Sequence, residues 1–249
     1  MKPKVAFVIA TNNLDWQYKM FIASLRKFHS EEELPVIRVT EEQIKNYNDP
    51  NFLYRGKPTI AKKLIQEYEL VIGFDCDQLI TGDLSEIWKD AEYDVAVVNN
   101  SNPNEFKAYP YTFLTIHPFS YVNCGLVAMR SEAFINEWYD NCFSILYNGF
   151  QMREQDFLNL LVHGNHYKVK RLDEGDSFYS LASKGYWQYV TLTANGELFL
   201  AKDSEGTWPD KDKLIKVIHF AGGHENIEKM NYRIRFQPEV IARLDELIK

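Results

Sequence analysis

The chain has 249 residues, with 28 Lys and Arg against 35 Asp and Glu, a net charge of −7. That balance argues against a non-specific binder of nucleic acid or of an anionic membrane, because both need a basic face. A hydrophobic content of 45% and an aromatic content of 14% exclude a disordered chain. The length suits one large α/β unit without repeats or linkers, so residues 1–249 read as a single domain.

No apolar run approaches the ~18–20 residues that a membrane span needs. The start, Met-Lys-Pro-Lys followed by Val5 to Ala10, has an apolar core of only six residues. That is too short for a signal sequence and reads as a first buried strand. The three cysteines, Cys76, Cys124 and Cys142, are odd in number and lie in apolar contexts. They suit reduced core thiols in a cytoplasm.

Residues 4–10 read as a strand. Residues 15–28 put Trp16, Met20, Phe21, Leu25 and Phe28 on one helical stripe. A second strand follows at 34–39, then a helix at 59–68 with Ile60, Leu64 and Ile65 on one side. Residues 70–74 are almost continuously apolar, the mark of a central strand covered on both faces. A short helix near 84–88 and a strand at 94–98 come next, then a strand at 121–129. Ser131 caps a helix that buries Phe134, Trp138, Cys142 and Leu146. Residues 153–163 form a helix with Phe157, Leu160 and Leu161 inward. Residues 191–200 form a hairpin with Asn195-Gly196 as a type I′ turn. A last strand at 216–220 and a helix at 238–248 complete the chain. Alternation of strand and helix implies a parallel sheet with helices on both faces. Two stretches, 99–120 and 174–188, lack periodicity, and loops of that length are usually functional or disordered. Their aromatic content favours order.

The most informative segment runs from Val71 to Trp88. A buried strand ends in Asp75 and Asp77, with one residue between them. Where a strand exits, its alternation breaks, so both carboxylates can converge on the carboxyl-end crevice where open α/β sheets bind ligands. A hard divalent cation would relieve their repulsion and accept phosphate oxygens. Asp83 and Glu86 bracket a helix start and take the capping role, which leaves Asp75 and Asp77 without it.

Asp75-Cys-Asp77, Leu79-Ile80, Gly82-Asp83-Leu84 and Trp88 resemble the metal-binding segment of the GT-A fold glycosyltransferases. They are most similar to family 8, the group of glycogenin and the bacterial lipopolysaccharide galactosyltransferases. Three further segments follow in that family's order: Asn123-Cys-Gly125, Glu154-Gln155-Asp156 and His219-Phe-Ala-Gly222. Ala10-Thr11-Asn12 and Arg55-Gly-Lys57 match its first strand end and its basic position. Two departures stand out. Glu154 replaces an Asp, and Gly223-His224-Glu225 stands where the family has Lys-Pro-Trp, with Lys229 as a candidate replacement. The basic C-terminus of some bacterial members is also missing.

The resemblance implies a mixed, mostly parallel GT-A sheet with helices on both faces and metal-dependent hexosyl transfer. The donor would be a nucleotide-diphosphate sugar, UDP-glucose or UDP-galactose first, and the acceptor a saccharide or glycoconjugate. Asp75, Asp77 and His219 would hold Mn²⁺ or Mg²⁺. Thr11, Asn12 and Lys57 would meet the nucleotide end. Asn123, Gly125, Glu154, Gln155 and Gly222 would border the sugar, with Gln155 near the reacting carbon and retention of configuration. Asp156 as a base would instead mean inversion.

Plainer roles stay open for several of these residues. His219 follows Ile215, Val217 and Ile218 and could be a core histidine, with His224 as the alternative ligand. Asn123 and Gln155 equally suit satisfying backbone groups. His29, His117, His163 and His166 show no metal spacing and read as surface or loop residues. Tyr109 to Tyr111 and Tyr186-Trp187 suit stacking on an acceptor sugar. Two other functions compete. One is a nucleotide-sugar-binding protein without transfer activity. The other is a haloacid dehalogenase-type phosphohydrolase, whose Asp-x-Asp normally opens its fold and precedes a small residue and a Thr; Gln78 and Leu79 stand here.

Overall fold

A computed structural model describes residues 3–45, 53–89, 92–99, 120–144, 153–181, 186–202, 204, 209, 211–221 and 235–249. It begins with β1 (Lys4–Ile9), a 3-10 turn at Asn12–Leu14 and α1 (Asp15–Arg26). β2 (Val36–Val39), α2 (Glu41–Ile44) and α3 (Gly56–Leu64) lead to β3 (Leu70–Asp75) and β4 (Gln78–Ile80). Next come α4 (Glu86–Lys89), β5 (Val95–Asn99), β6 (Val122–Met129), α5 (Glu132–Cys142) and α6 (Glu154–His163). β7 (Val169–Arg171), β8 (Ser177–Phe178), β9 (Thr191–Leu192), β10 (Leu198–Leu200), β11 (Lys213–Ile215), β12 (Val217–His219) and α7 (Pro238–Leu247) follow.

Six strands form the central sheet in the order β2-β1-β3-β6-β5-β7. All neighbours are parallel except the two pairs that β6 makes with β3 and β5. The sheet is therefore mixed and mostly parallel. Its side chains alternate between two apolar layers, as a sheet covered on both faces requires. Val5, Phe7 and Val71 pack with residues of α3, α5 and α6 on one face. Ala6, Val8, Leu70, Ile72 and Phe74 pack with Phe21 and Leu25 of α1 on the other. A four-stranded sheet, β8-β11-β10-β9, and a β12-β4 pair build a second region, whose core includes α7. Among the described residues no helix is long and apolar enough to cross a membrane.

Several expectations need correction. α3 starts at Gly56 rather than Thr59, because Pro58 sits in the first turn, where its missing N–H costs nothing. The earlier start brings Lys57 onto the helix. The 216–220 strand is two short strands, since Lys216 N–H donates to Phe178 O and the chain passes from one sheet to the other there. The hairpin forms, but only Gly196 has a positive φ, +76°, whereas type I′ needs two such residues. Gly196 N–H donates to Thr193 O, so the glycine ends a longer loop in the left-handed region. His29 is a buried residue and not a surface one. Its Nε2 accepts from Leu84 N–H at 2.9 Å, and its ring meets Trp88 edge-on at 4.9 Å. The Ser131 cap holds, its Oγ accepting from Phe134 N–H. Leu146 lies outside the described residues.

Candidate active site

The reversed strand is what assembles the site. Because β6 runs against β3, its first residues lie beside the carboxyl end of β3, with Leu126 opposite Phe74. Against β5 its register jumps, Val97 facing Val127 while Val98 faces Asn123. Such an irregularity re-aims side chains, and both Asn123 and Cys124 line the cleft. Gln155 and Asn159 of α6 clamp this segment: Cys124 N–H donates to Gln155 Oε1 at 3.0 Å and Val122 N–H to Asn159 Oδ1 at 2.8 Å.

The third wall comes from β12, which pairs with β4 so that His219 faces Gln78. Phe220 N–H then donates to Asp77 O at 2.9 Å. Backbone bonding alone thus places His219 beside the Asp75-Cys-Asp77 turn. His219 Nε2 lies 3.4 Å from Asp75 Oδ2 and 3.3 Å from Asp77 Oδ1, and Nδ1 lies 3.3 Å from Ser180 Oγ. One ligand atom from each of Asp75, Asp77 and His219 falls within 4.8 Å of the others. Gly125 lies flat against the imidazole: a Cβ there would sit 2.4 Å from His219 Cε1.

Lys57 completes the charge pattern. Its Nζ donates to Asp75 Oδ1 at 2.5 Å and to the Cys124 carbonyl. Burial opposes ionisation of Asp75, but Lys57 and His219 override it and hold the carboxyl well below its usual range. Burial also disfavours the imidazolium of His219, yet Asp77 and Asp75 raise it to about 9. Glu154 behaves differently. Burial dominates and pushes its carboxyl up to about 8, and its Oε2 has no hydrogen-bond partner among the described residues.

These groups line a cleft of about 360 Å³ that also includes Thr11, Leu53 and Tyr54. That lies within the size range of small-ligand sites. Two carboxylates and an imidazole form a donor set that suits a divalent cation, and Asp75, Asp77 and His219 could hold one.

No protein-family model matches the sequence, and no curated protein matches it. Solved structures do. The galactosyltransferase LgtC, solved with donor and acceptor sugar analogs, aligns over 98% of this chain and 95% of its own, at a TM-score of 0.60 and 14% identity. This chain has the GT-A glycosyltransferase fold. A glycosyltransferase involved in glycosylation of the major capsid of PBCV-1 aligns over 93% of this chain and all of its own, at 0.55 and 10% identity. The bifunctional glycosyltransferase WbbM aligns at 0.55 and 11%, over 94% of this chain. This chain spans about half of WbbM, 52% of its length.

Within the GT-A fold, the expected residues separate into four groups. Thr11, Lys57, Asp75, Asp77, Asn123, Glu154, Gln155 and His219 all line the cleft. Gly125 is tied to His219 rather than placed as a free wall. Asp156 is a correction: it is fully buried and accepts from Tyr121 Oη at 2.6 Å, so it anchors α6 and cannot reach a substrate proton. Gly222, His224, Lys229, His117 and Tyr109 to Tyr111 lie outside the described residues, as does the Asn12 side chain. Trp187 is another correction. It is buried, stacked on Phe236 at 5.2 Å, and cannot serve an acceptor sugar. Two residues in the cleft gave no sequence signal beyond an aromatic beside a basic pair: Leu53 and Tyr54, 45% and 48% exposed at its edge. Cys124 lines the cleft and is only half-buried, unlike the other two thiols.

Proposed function

We propose that this chain transfers a hexose from a nucleotide-diphosphate sugar, UDP-glucose or UDP-galactose first, to a saccharide or glycoconjugate acceptor. The observation that carries the reading is the Asp75-Asp77-His219 cluster on the floor of the cleft, at the strand end where the fold gathers ligands. These three residues would hold Mn²⁺ or Mg²⁺, which would supply neutralisation of the charge that grows on a departing diphosphate. Lys57 keeps Asp75 ionised and adds positive charge beside the phosphates. Thr11 meets the nucleotide end, and Asn123 and Glu154 meet the sugar.

The resemblance to family 8 carries the configuration. Among the described cleft residues, Glu154 is the one carboxyl outside the metal set. Burial raises its pKa to about 8, which favours the protonated form at neutral pH and suits donation to a sugar hydroxyl. In line with the resemblance to family 8, the acceptor attacks from the face the diphosphate leaves, its proton passes to that diphosphate, and configuration is retained. Gln155 holds the Cys124 wall through its Oε1 and stands beside the reacting carbon. Leu53 and Tyr54 give the acceptor an apolar edge, with the Arg153 guanidinium 3.9 Å from the Tyr54 ring.

Two measurements test this. UDP at 100 times its Kd should stabilise the protein by about 2.7 kcal/mol in Mn²⁺, read as a rise of the melting temperature, and by much less in EDTA. Equal shifts in both would refute the metal bridge, and no shift with any nucleoside diphosphate would refute the function. A shift without product would leave a binding protein. Proton NMR of the product from an α-linked donor should show an α anomer; a β anomer would overturn retention.

A further inference from the structure

We propose that Ser180 is a positioning residue for the metal site: its Oγ accepts the Nδ1 proton of His219 and so leaves Nε2 as the ligand atom facing Asp75 and Asp77. The proposal rests on the metal reading above and assigns a role that the cluster itself does not. A neutral imidazole carries one proton, and which nitrogen carries it depends on the partner of the other. Here the two nitrogens face opposite surroundings. Nε2 points between two carboxylates, at 3.4 and 3.3 Å, while Nδ1 points at the hydroxyl of Ser180, at 3.3 Å. A cation on Nε2 requires that nitrogen to be free of its proton, so the proton must sit on Nδ1 and needs an acceptor there.

The chain holds Ser180 in place from both sides. Leu181 N–H donates to Val217 O at 2.9 Å and His219 N–H to Leu181 O at 3.2 Å, so residues 180–181 run as a parallel strap beside β12. Before it, Tyr179 N–H donates to Asp173 Oδ1 at 2.6 Å, and Tyr179 Oη donates to Glu86 Oε2 at 2.5 Å. Asp173 Oδ2 in turn accepts from Asn99 N–H at the end of β5. Ser180 is fully buried, so no water competes for the imidazole proton. On the opposite side Gly125, which has no Cβ, makes room for the ring. Gly125 thus gives the ring its space, and Ser180 selects the nitrogen that keeps the proton.

The test uses metal alone. Titration of Mn²⁺ into Ser180→Ala should give an affinity about 10–100-fold weaker than wild type, the usual cost of losing such a partner, with the melting temperature in EDTA little changed. His219→Ala serves as reference for loss of the ligand itself. If Ser180→Ala binds Mn²⁺ as wild type does while His219→Ala does not, the Ser180 role is wrong and the ligand set stands. If His219→Ala also binds as wild type, the ligand set fails. A second measurement needs no variant: in the Mg²⁺-loaded wild type, ¹⁵N NMR of His219 should show the proton on Nδ1, and a proton on Nε2 would overturn the proposal.

Discussion

Gly125→Ala should lose cation binding and, with it, transfer, while the protein still folds. A Cβ at this position would sit 2.4 Å from His219 Cε1, 2.8 Å from Nδ1 and 2.7 Å from Asn123 Oδ1. None of these separations is tolerable, so something moves. The backbone of β6 is fixed between β3 and β5 and clamped by Gln155 and Asn159. The imidazole, at the end of its side chain, is the softer partner. It swings away and takes Nε2 out of line with Asp75 and Asp77. Overpacking of this kind costs about 1–3 kcal/mol, which leaves a folded protein. We expect Mn²⁺ affinity to fall at least as far as in His219→Ala, and transfer to fall at least ~10²-fold. Calorimetry with Mn²⁺ and a melting curve in EDTA separate the two effects. Normal Mn²⁺ affinity in a folded Gly125→Ala protein would mean that His219 is not a ligand.

The parts of this site that lie close together in sequence were legible. Asp75 and Asp77 end an apolar run whose covering on both faces could be read from Val71, Ile72 and Phe74 alone, and the cap formed by Asp83 explained why they were spare. Asp83 does bind Ser85 N–H at 3.0 Å. The long-range parts were not legible. Periodicity says that residues 121–129 form a strand but not which way it runs, and direction decides that Asn123 lines the same cleft as Asp75. Ser180 lies 39 residues before His219 in sequence, with nothing in its neighbours to mark it. Burial misled twice, in the same direction. An aromatic pair at Tyr186-Trp187 looked like a sugar platform because a loop was expected, but Trp187 fills the core of the second region. Asp156 follows Gln155, which lines the cleft, yet one step along a helix turns a side chain by about 100°, enough to carry it from the cleft to Tyr121.

Lys57→Met should move stability and cation affinity in opposite directions. Lys57 is 6% exposed, and its ammonium lies 2.5 Å from Asp75 Oδ1. Methionine keeps the length and removes the charge, leaving Asp75 with His219 and leaving the Cys124 carbonyl without this donor. Breaking a buried pair can cost about 3–5 kcal/mol, but the Asp75 side chain is 35% exposed and solvent takes up part of the loss. We expect about 1–3 kcal/mol of destabilisation in EDTA, roughly 2–4 °C per kcal/mol for a chain of this size. The cation feels the reverse. In wild type a dication must share Asp75 with an ammonium that repels it, and the substitution removes that repulsion. Mn²⁺ should therefore bind several-fold tighter to Lys57→Met and raise its melting temperature more than it raises that of wild type. UDP in saturating Mn²⁺ should bind more weakly, because the positive charge beside the diphosphate is gone. Lys57→Arg, which keeps that charge, should not bind Mn²⁺ more tightly than wild type. If Lys57→Met instead loses Mn²⁺ affinity together with stability, the lysine serves to hold Asp75 in its ligating rotamer, and charge competition is the wrong account of it.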